Sequence, residues 1–227
     1  MTSSRRRDRF GLLCLLSTFL LICSGLASPA EGKPSDRNLV LAGSAMAVPT
    51  YMLGVSIHEG SHALAGKMLG ATVTDYSLIP GFHPRTGKFY FGYVTVRGLR
   101  SDRQRAWFLI APKVTDTILL SGFSLLYATD SMPSNYYAQT GVLVLATGFW
   151  VDFSKDIFAF WDHNDTVKVY NALGLKSELS RLPARLVHLG LSVAMGYAIY
   201  RGYEDLFADE AEPMAQPLMV PMWDTRF

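Results

Sequence analysis

Charge is scarce in this sequence. Of its 227 residues, 18% are Asp, Glu, Lys or Arg, whereas about a quarter is usual in a soluble domain. Residues 11–27 and 138–151 contain no charged side chain. A disordered chain combines high charge with low hydrophobicity, and the 49% of hydrophobic residues exclude that class. The length suits about one domain, and the charge-free runs favour a membrane protein.

The net charge is small and cysteine is nearly absent. A formal charge of +2 gives no large positive footprint, which argues against a nucleic-acid-binding protein. The two cysteines, Cys14 and Cys23, lie in the same apolar run. The sequence therefore offers neither a disulfide scaffold nor a metal site built from cysteine ligands.

Five apolar stretches are candidate membrane spans. The first, residues 11–27, follows a basic start and precedes small residues, a pattern typical of a secretory signal peptide or of an uncleaved first span. The others cover residues 38–69 (interrupted by Pro49), 106–128, 138–161 and 183–203. We expect an α-helical polytopic membrane protein with about five spans, the first of which is either a signal peptide or a membrane helix. The charges embedded in the later stretches give weak support to a soluble α-helical protein instead.

The pattern divides the chain into three parts and suggests an orientation. Residues 1–30 form the signal peptide or first span, residues 31–208 a membrane-embedded domain, and residues 209–227 an acidic, irregular tail. With the N-terminus in the cytoplasm, the positive-inside rule is satisfied by two cytoplasmic segments. Their basic residues are Arg85, Lys88, Arg97, Arg100, Arg103 and Arg105 in the first, and Lys168, Lys176 and Arg181 in the second. The tail then lies on the opposite side of the membrane.

A different pattern separates the second and third spans. Residues 72–79 and 88–96 are rich in β-branched and aromatic side chains, and Pro84 to Gly87 supply turn residues between them. These features predict a small β-hairpin or sheet. It lies on the cytoplasmic side, or dips into the membrane where other protein segments shield it.

The second span carries the sequence His58-Glu59-Gly60-Ser61-His62. Residues four apart lie on one face of a helix, so both imidazoles can bind a single metal ion. Glu59 follows the first ligand and is placed to act as a general base towards water. Zinc suits this donor set, and two histidines with a glutamate inside an apolar span are costly unless they have a function. Histidines that only pack or cap a helix are the structural alternative.

Residues 58–69 resemble the active-site helix of the site-2 protease family of intramembrane zinc metallopeptidases. The family places a short β region and then a helix with an Ala-Gly-Pro-like turn after this motif, and Ala111-Pro112 stands in that place without the glycine. The order of parts from about residue 38 to 175 is similar, and the last span is additional. The resemblance implies Zn²⁺ as cofactor and an aspartate on a later helix as third ligand.

Three aspartates are candidates for that ligand. Asn164-Asp165 before an amphipathic stretch is similar to a divergent branch of the family, so Asp165 is the preferred choice. Asp152 and Asp156 are the alternatives, because a carboxylate within a span is expected to be functional. Both could instead simply pair with Lys155. Lys113 and Asp116 could pair with them or orient a ligand.

We therefore expect a membrane-embedded zinc endopeptidase of the kind used in regulated intramembrane proteolysis. His58, His62 and Asp165 hold the metal ion, and Glu59 is the catalytic base. The partners implied are the lipid bilayer and a membrane-anchored protein, cut in or beside its transmembrane segment after local unwinding. The edge of the predicted hairpin could hold the unwound stretch as an added strand. The alternative is a non-catalytic relative that binds metal and acts as a membrane scaffold or chaperone.

Overall fold

The computed structural model describes residues 32–78, 80–83, 86–162 and 164–208. The signal peptide or first span predicted over residues 1–30 and the tail predicted over residues 209–227 lie outside the described residues. Pro84 and Arg85 of the predicted turn lie outside them too.

The described chain is mostly helical, as predicted. Its α-helices are α1 (Asp36–Met68), α2 (Asp102–Ala128), α3 (Tyr136–Lys155), α4 (Asp165–Ala172) and α5 (Glu178–Phe207). Three of them, α1, α2 and α5, are long and apolar enough to cross a membrane. The total of five spans stays a prediction.

The helix boundaries differ from the predicted spans at two points. α1 continues through Pro49 instead of breaking there, and such a proline is tolerated where neighbouring groups satisfy the freed backbone carbonyl. The stretch predicted as one span over residues 138–161 ends as an α-helix at Lys155 and continues as one 3₁₀ turn, Asp156–Phe158. Arg185 of α5 donates to the carbonyls of Ile157 and Ala159. These two carbonyls therefore accept from a side chain instead of from the N–H groups of a continuing helix.

Helix α3 lies at the centre and packs against α1, α2 and α5. The core is formed by apolar side chains from these four helices, including Leu39, Leu120, Phe123, Leu143, Phe149 and Ile199. The outer faces are apolar as well: Leu41 and Val48 on α1 and Leu186 and Val193 on α5 are each more than half exposed. A helix that is apolar all round is typical of a membrane environment.

A small antiparallel sheet follows α1, in the predicted place. Strand β1 (Thr72–Ser77) pairs with β4 (Tyr93–Arg97), and β2 (Gly81–Phe82) pairs with β3 (Phe89–Tyr90). The second predicted strand is thus split at residues 91–92. Together β1 to β4 form one long hairpin with an interruption.

The hairpin folds back along α1. Val96 faces Gly66 near the end of the helix. Ser56 donates to the Leu78 carbonyl at 3.0 Å. The centroids of the Phe91 and Tyr51 rings are 6.0 Å apart. From Gly66 to Tyr51 the helix rises by about 22 Å. Phe91, at the interruption of the hairpin, therefore lies beside the middle of α1.

Candidate metal centre

Helix α1 and the start of α4 together place three potential metal ligands. His58 and His62 lie on one face of α1, with ring centroids 5.2 Å apart. Asp165 is the first residue of α4, and its Oδ2 is 3.2 Å from His62 Nε2. One ligand atom from each of the three residues lies within 4.8 Å of the others. The structure thus brings together the three residues preferred from the sequence.

Each imidazole is held by its Nδ1 atom. His62 Nδ1 donates to the Phe108 carbonyl of α2 at 2.8 Å, and His58 Nδ1 is 2.8 Å from Asp152 Oδ2 of α3. An acceptor at Nδ1 selects the tautomer in which Nε2 carries the free lone pair. Such outer partners fix ring orientation and raise ligand basicity in metal sites. Both histidines are therefore oriented as metal ligands are.

The local sequence fixes the carboxylate of Asp165. Asn164 caps α4 because its side chain accepts from the backbone N–H groups of Thr166 and Val167 at 2.9 and 3.3 Å. Lys168 donates to Asp165 Oδ1 at 2.8 Å. Burial raises the pKa of Asp165, but the neighbouring His62 ring and the hydrogen bond from Lys168 outweigh it and lower the pKa to about 2. Asp165 is thus an ionised acceptor at neutral pH.

Asp152 and Asp156, the two alternative ligands, contact residues of this group or residues next to them in the chain, and are not part of the group itself. Asp152 accepts from His58 and pairs with Lys155 and with Lys113. The pairing with Lys155 considered from the sequence is thus present for Asp152.

Asp156 pairs with Lys113, at 3.1 Å, rather than with Lys155. It is 4% exposed and accepts from Asn164 Nδ2 at 2.8 Å and Thr166 Oγ1 at 3.2 Å. Its carboxylate is thus used to hold the turn that precedes α4, and it does not belong to the group of three.

Glu59 lies next to the three ligands and under the hairpin. Gly92, between β3 and β4, approaches it so closely that a Cβ atom there would lie 2.6 Å from Glu59 Cγ and 2.9 Å from Val55 Cγ1. Only glycine fits this approach without a shift of either element. The hairpin backbone therefore forms one wall beside the predicted general base.

Two buried arginines of α5 were not recognised as part of this region from the sequence. Arg185 donates to the carbonyls of Ile157 at 2.5 Å and Ala159 at 2.6 Å. Arg181, counted above only as a marker of orientation, is 5% exposed and donates to the Leu175 carbonyl at 2.9 Å. Together they hold both ends of the segment that carries Asp165. The available signal was the spacing of four residues, which places both guanidinium groups on one helix face.

Comparison with known proteins identifies no relative of this chain. No protein-family model, curated protein or solved structure matches the chain. The resemblance to the site-2 protease family consequently rests on the residues of this sequence alone.

Proposed function

We propose that this protein is a membrane-embedded zinc metalloendopeptidase that hydrolyses peptide bonds in or near the transmembrane segments of membrane proteins. The observation that carries the proposal is the convergence of His58, His62 and Asp165, with Glu59 beside the first histidine. Because the comparisons with known proteins found no match, the support for this proposal is the chemistry of these residues.

The donor set fits zinc. Two imidazole nitrogens and one carboxylate oxygen are three ligands, and catalytic zinc sites keep a further position open whereas structural sites have four protein ligands. The Nδ1 atoms of both histidines are held by acceptors on other helices, as is usual around zinc. When bound, the ion supplies Lewis-acid polarisation of the scissile carbonyl and a lowered pKa for water.

Glu59 performs the proton transfers. Its carboxylate accepts a proton from water as the water oxygen adds to the scissile carbonyl carbon. It then donates that proton to the amine nitrogen as the C–N bond breaks. The products are a carboxylic acid and an amine, with one water consumed and Glu59 returned to its carboxylate form.

The hairpin supports a role in holding substrate. A transmembrane helix hides its carbonyls in its own hydrogen bonds, so it must unwind before a peptide bond reaches Glu59. Among the described residues, β1 and β4 form one two-stranded sheet and β2 and β3 form another. An extended peptide can add to the edge of such a sheet through main-chain hydrogen bonds. Gly92, which separates β3 from β4, lies close to Glu59, and this closeness supports binding of an extended peptide next to the base.

We extend the proposal to membrane insertion and orientation. α1, α2, α3 and α5 each cross the bilayer, and the basic residues between β4 and the first turn of α2 face the cytoplasm under the positive-inside rule. His58 and His62 lie in the half of α1 nearer to this basic end. The active-site side is then cytoplasmic and the tail after α5 is on the opposite side.

The variant Glu59→Gln tests catalysis separately from metal binding. Cells expressing the wild type or the variant are compared by terminal-amine labelling of their membrane proteins. We expect new N-termini in or near transmembrane segments with the wild type and none with Glu59→Gln, while both purified proteins hold one zinc. New termini that persist in the variant would refute Glu59 as the base.

A non-catalytic scaffold or chaperone is the second candidate function. The sequence departs from the family's Ala-Gly-Pro-like turn at Ala111-Pro112, where the glycine is missing, and this departure favours it. It predicts bound zinc, the same set of associated membrane proteins for wild type and Glu59→Gln, and no new termini with either.

A further inference from the structure

A buried lysine lies between Asp152 and Asp156, the two carboxylates that support the metal ligands. Lys113 of α2 is 6% exposed and belongs to a helix apolar enough to cross a membrane. A buried ammonium group is tolerated only where carboxylates and hydrogen bonds compensate its lost hydration. The partners of Lys113 therefore indicate its role.

One partner is the carboxylate that holds His58. Lys113 Nζ is 3.3 Å from Asp152 Oδ2 and also donates to the Asp152 backbone carbonyl. The same Oδ2 is 2.8 Å from His58 Nδ1. Lys113 thus fixes both the side chain and the main chain of the residue that orients the first histidine.

Besides Asp116 of the same helix, at 3.5 Å, a further partner is the carboxylate that holds the start of α4. Lys113 Nζ is 3.1 Å from Asp156 Oδ2, and Asp156 accepts from the side chains of Asn164 and Thr166. These two residues flank Asp165 in the chain. The position of Asp165 therefore depends on a carboxylate that the same ammonium group neutralises.

We propose that Lys113 is a positioning residue that couples the two halves of the metal centre. It acts on His58 through Asp152 and on Asp165 through Asp156, so that one cation sets the distance between ligands from different helices. This inference rests on the proposed function, since it takes His58, His62 and Asp165 as the zinc site. It adds a requirement that the three ligands alone do not contain.

The test compares two lysines that contact the same carboxylate. Lys155 pairs with Asp152 from the surface, with 54% of its side chain exposed, so Lys155→Met is the matched control for Lys113→Met. Full-length proteins in phospholipid nanodiscs are titrated with zinc against a chromophoric chelator. The visible absorption of the Co²⁺-loaded proteins reports the geometry of the ligands. Circular dichroism of the metal-free proteins reports folding.

We expect Lys113→Met to weaken zinc binding by about tenfold or more, in line with the loss of other outer-layer partners, and to change the Co²⁺ spectrum. Lys155→Met should stay within about twofold of wild type because exposed pairs contribute little. Lys113→Arg retains the charge and should recover part of the affinity. A folded Lys113→Met protein with the zinc affinity and Co²⁺ spectrum of Lys155→Met would overturn the inference.

Two further variants test the halves without removing the lysine. Asp152→Asn and Asp156→Asn should each weaken zinc binding, and combining either with Lys113→Met should cost less than the sum of the separate effects. Should Lys113→Met fail to fold, unchanged zinc affinity in Asp156→Asn would still overturn the coupling. A wild type that binds no zinc, or binds it equally after His58→Ala, would overturn the proposed function as well.

Discussion

In both His58 and His62, one ring nitrogen contacts another helix and the other is available to the proposed metal ion. In both residues Nδ1 is taken by an acceptor from another helix, Asp152 in one case and the Phe108 carbonyl in the other. The two acceptors differ in charge, because Asp152 offers a carboxylate oxygen and Phe108 a neutral backbone carbonyl.

The motif itself could be predicted from the sequence because its geometry is local. A spacing of four residues on a helix puts two side chains on one face whatever the rest of the chain does. The partners at Nδ1 could not be predicted in this way. Asp152 is 94 residues from His58 and Phe108 is 46 residues from His62, so these contacts depend on how three helices pack.

Gly92 provides a prediction at the scale of one residue. A Cβ atom there would overlap Glu59 and Val55, so Gly92→Ala should displace the hairpin or the base by a fraction of an ångström. Because small misplacements at a reacting centre cost up to about a hundredfold, we expect cleavage of a substrate found in the Glu59→Gln comparison to slow by tenfold or more. Zinc content should be unchanged.

Gly81→Ala is the control for this prediction. It lies in the same hairpin, and a Cβ atom there meets nothing within 4 Å among the described residues. Equal cleavage rates for Gly92→Ala and Gly81→Ala would show that the close approach to Glu59 has no role in catalysis.

The segment from Asp156 to Ala172 is the element that completes the candidate site. Arg185 holds its beginning through the carbonyls of Ile157 and Ala159, and Arg181 holds its end through Asn171 and the Leu175 carbonyl. The apolar sequence favoured one long span here. Arg185, from an element later in the chain, takes carbonyls that a longer helix would need.

Arg185→Leu tests this arrangement. Removing the guanidinium group leaves two buried carbonyls without their donor, and hydrogen bonds to a charged group contribute about 1.5–3 kcal/mol each. We expect the free energy of unfolding of the metal-free protein in detergent to fall by about 2 kcal/mol or more, and zinc affinity to fall with it.

Arg201→Leu is the matched variant on the same helix. Arg201 pairs with Glu204 at 2.8 Å and 45% of its side chain is exposed. A surface substitution of this kind changes stability by about 0.5 kcal/mol or less. Similar destabilisation by both variants would contradict a special role for Arg185.

Across the molecule, apolar side chains occur both in the core and on the outer faces of α1 and α5. The buried charges, by contrast, gather around the centre and its supports: Lys113, Asp116, Asp156, Arg181 and Arg185. Low total charge predicted the membrane class from composition alone. It could not show that most of the buried charges form one connected region, because that requires contacts between α2, α3, α4 and α5.

Cysteine accessibility tests the orientation of the whole molecule. Arg103 precedes most of α2, Ser134 follows it, and both are exposed. If α2 crosses the membrane, Arg103→Cys should be labelled by an impermeant maleimide only from the cytoplasmic side and Ser134→Cys only from the other. The reaction is carried out on sealed cells and on inverted vesicles, with Cys14 and Cys23 replaced by serine. Labelling of both positions from the same side would contradict a crossing by α2.

Zinc stoichiometry of the purified full-length protein tests the central claim most directly. Wild type and Glu59→Gln should each hold one zinc, whereas His58→Ala, His62→Ala and Asp165→Ala should lose it. Asp152→Ala and Asp156→Ala should bind zinc more weakly but still hold one equivalent at saturation. Loss of the site at saturating zinc in Asp152→Ala or Asp156→Ala, with one zinc retained by Asp165→Ala, would contradict the ligand set proposed for this protein.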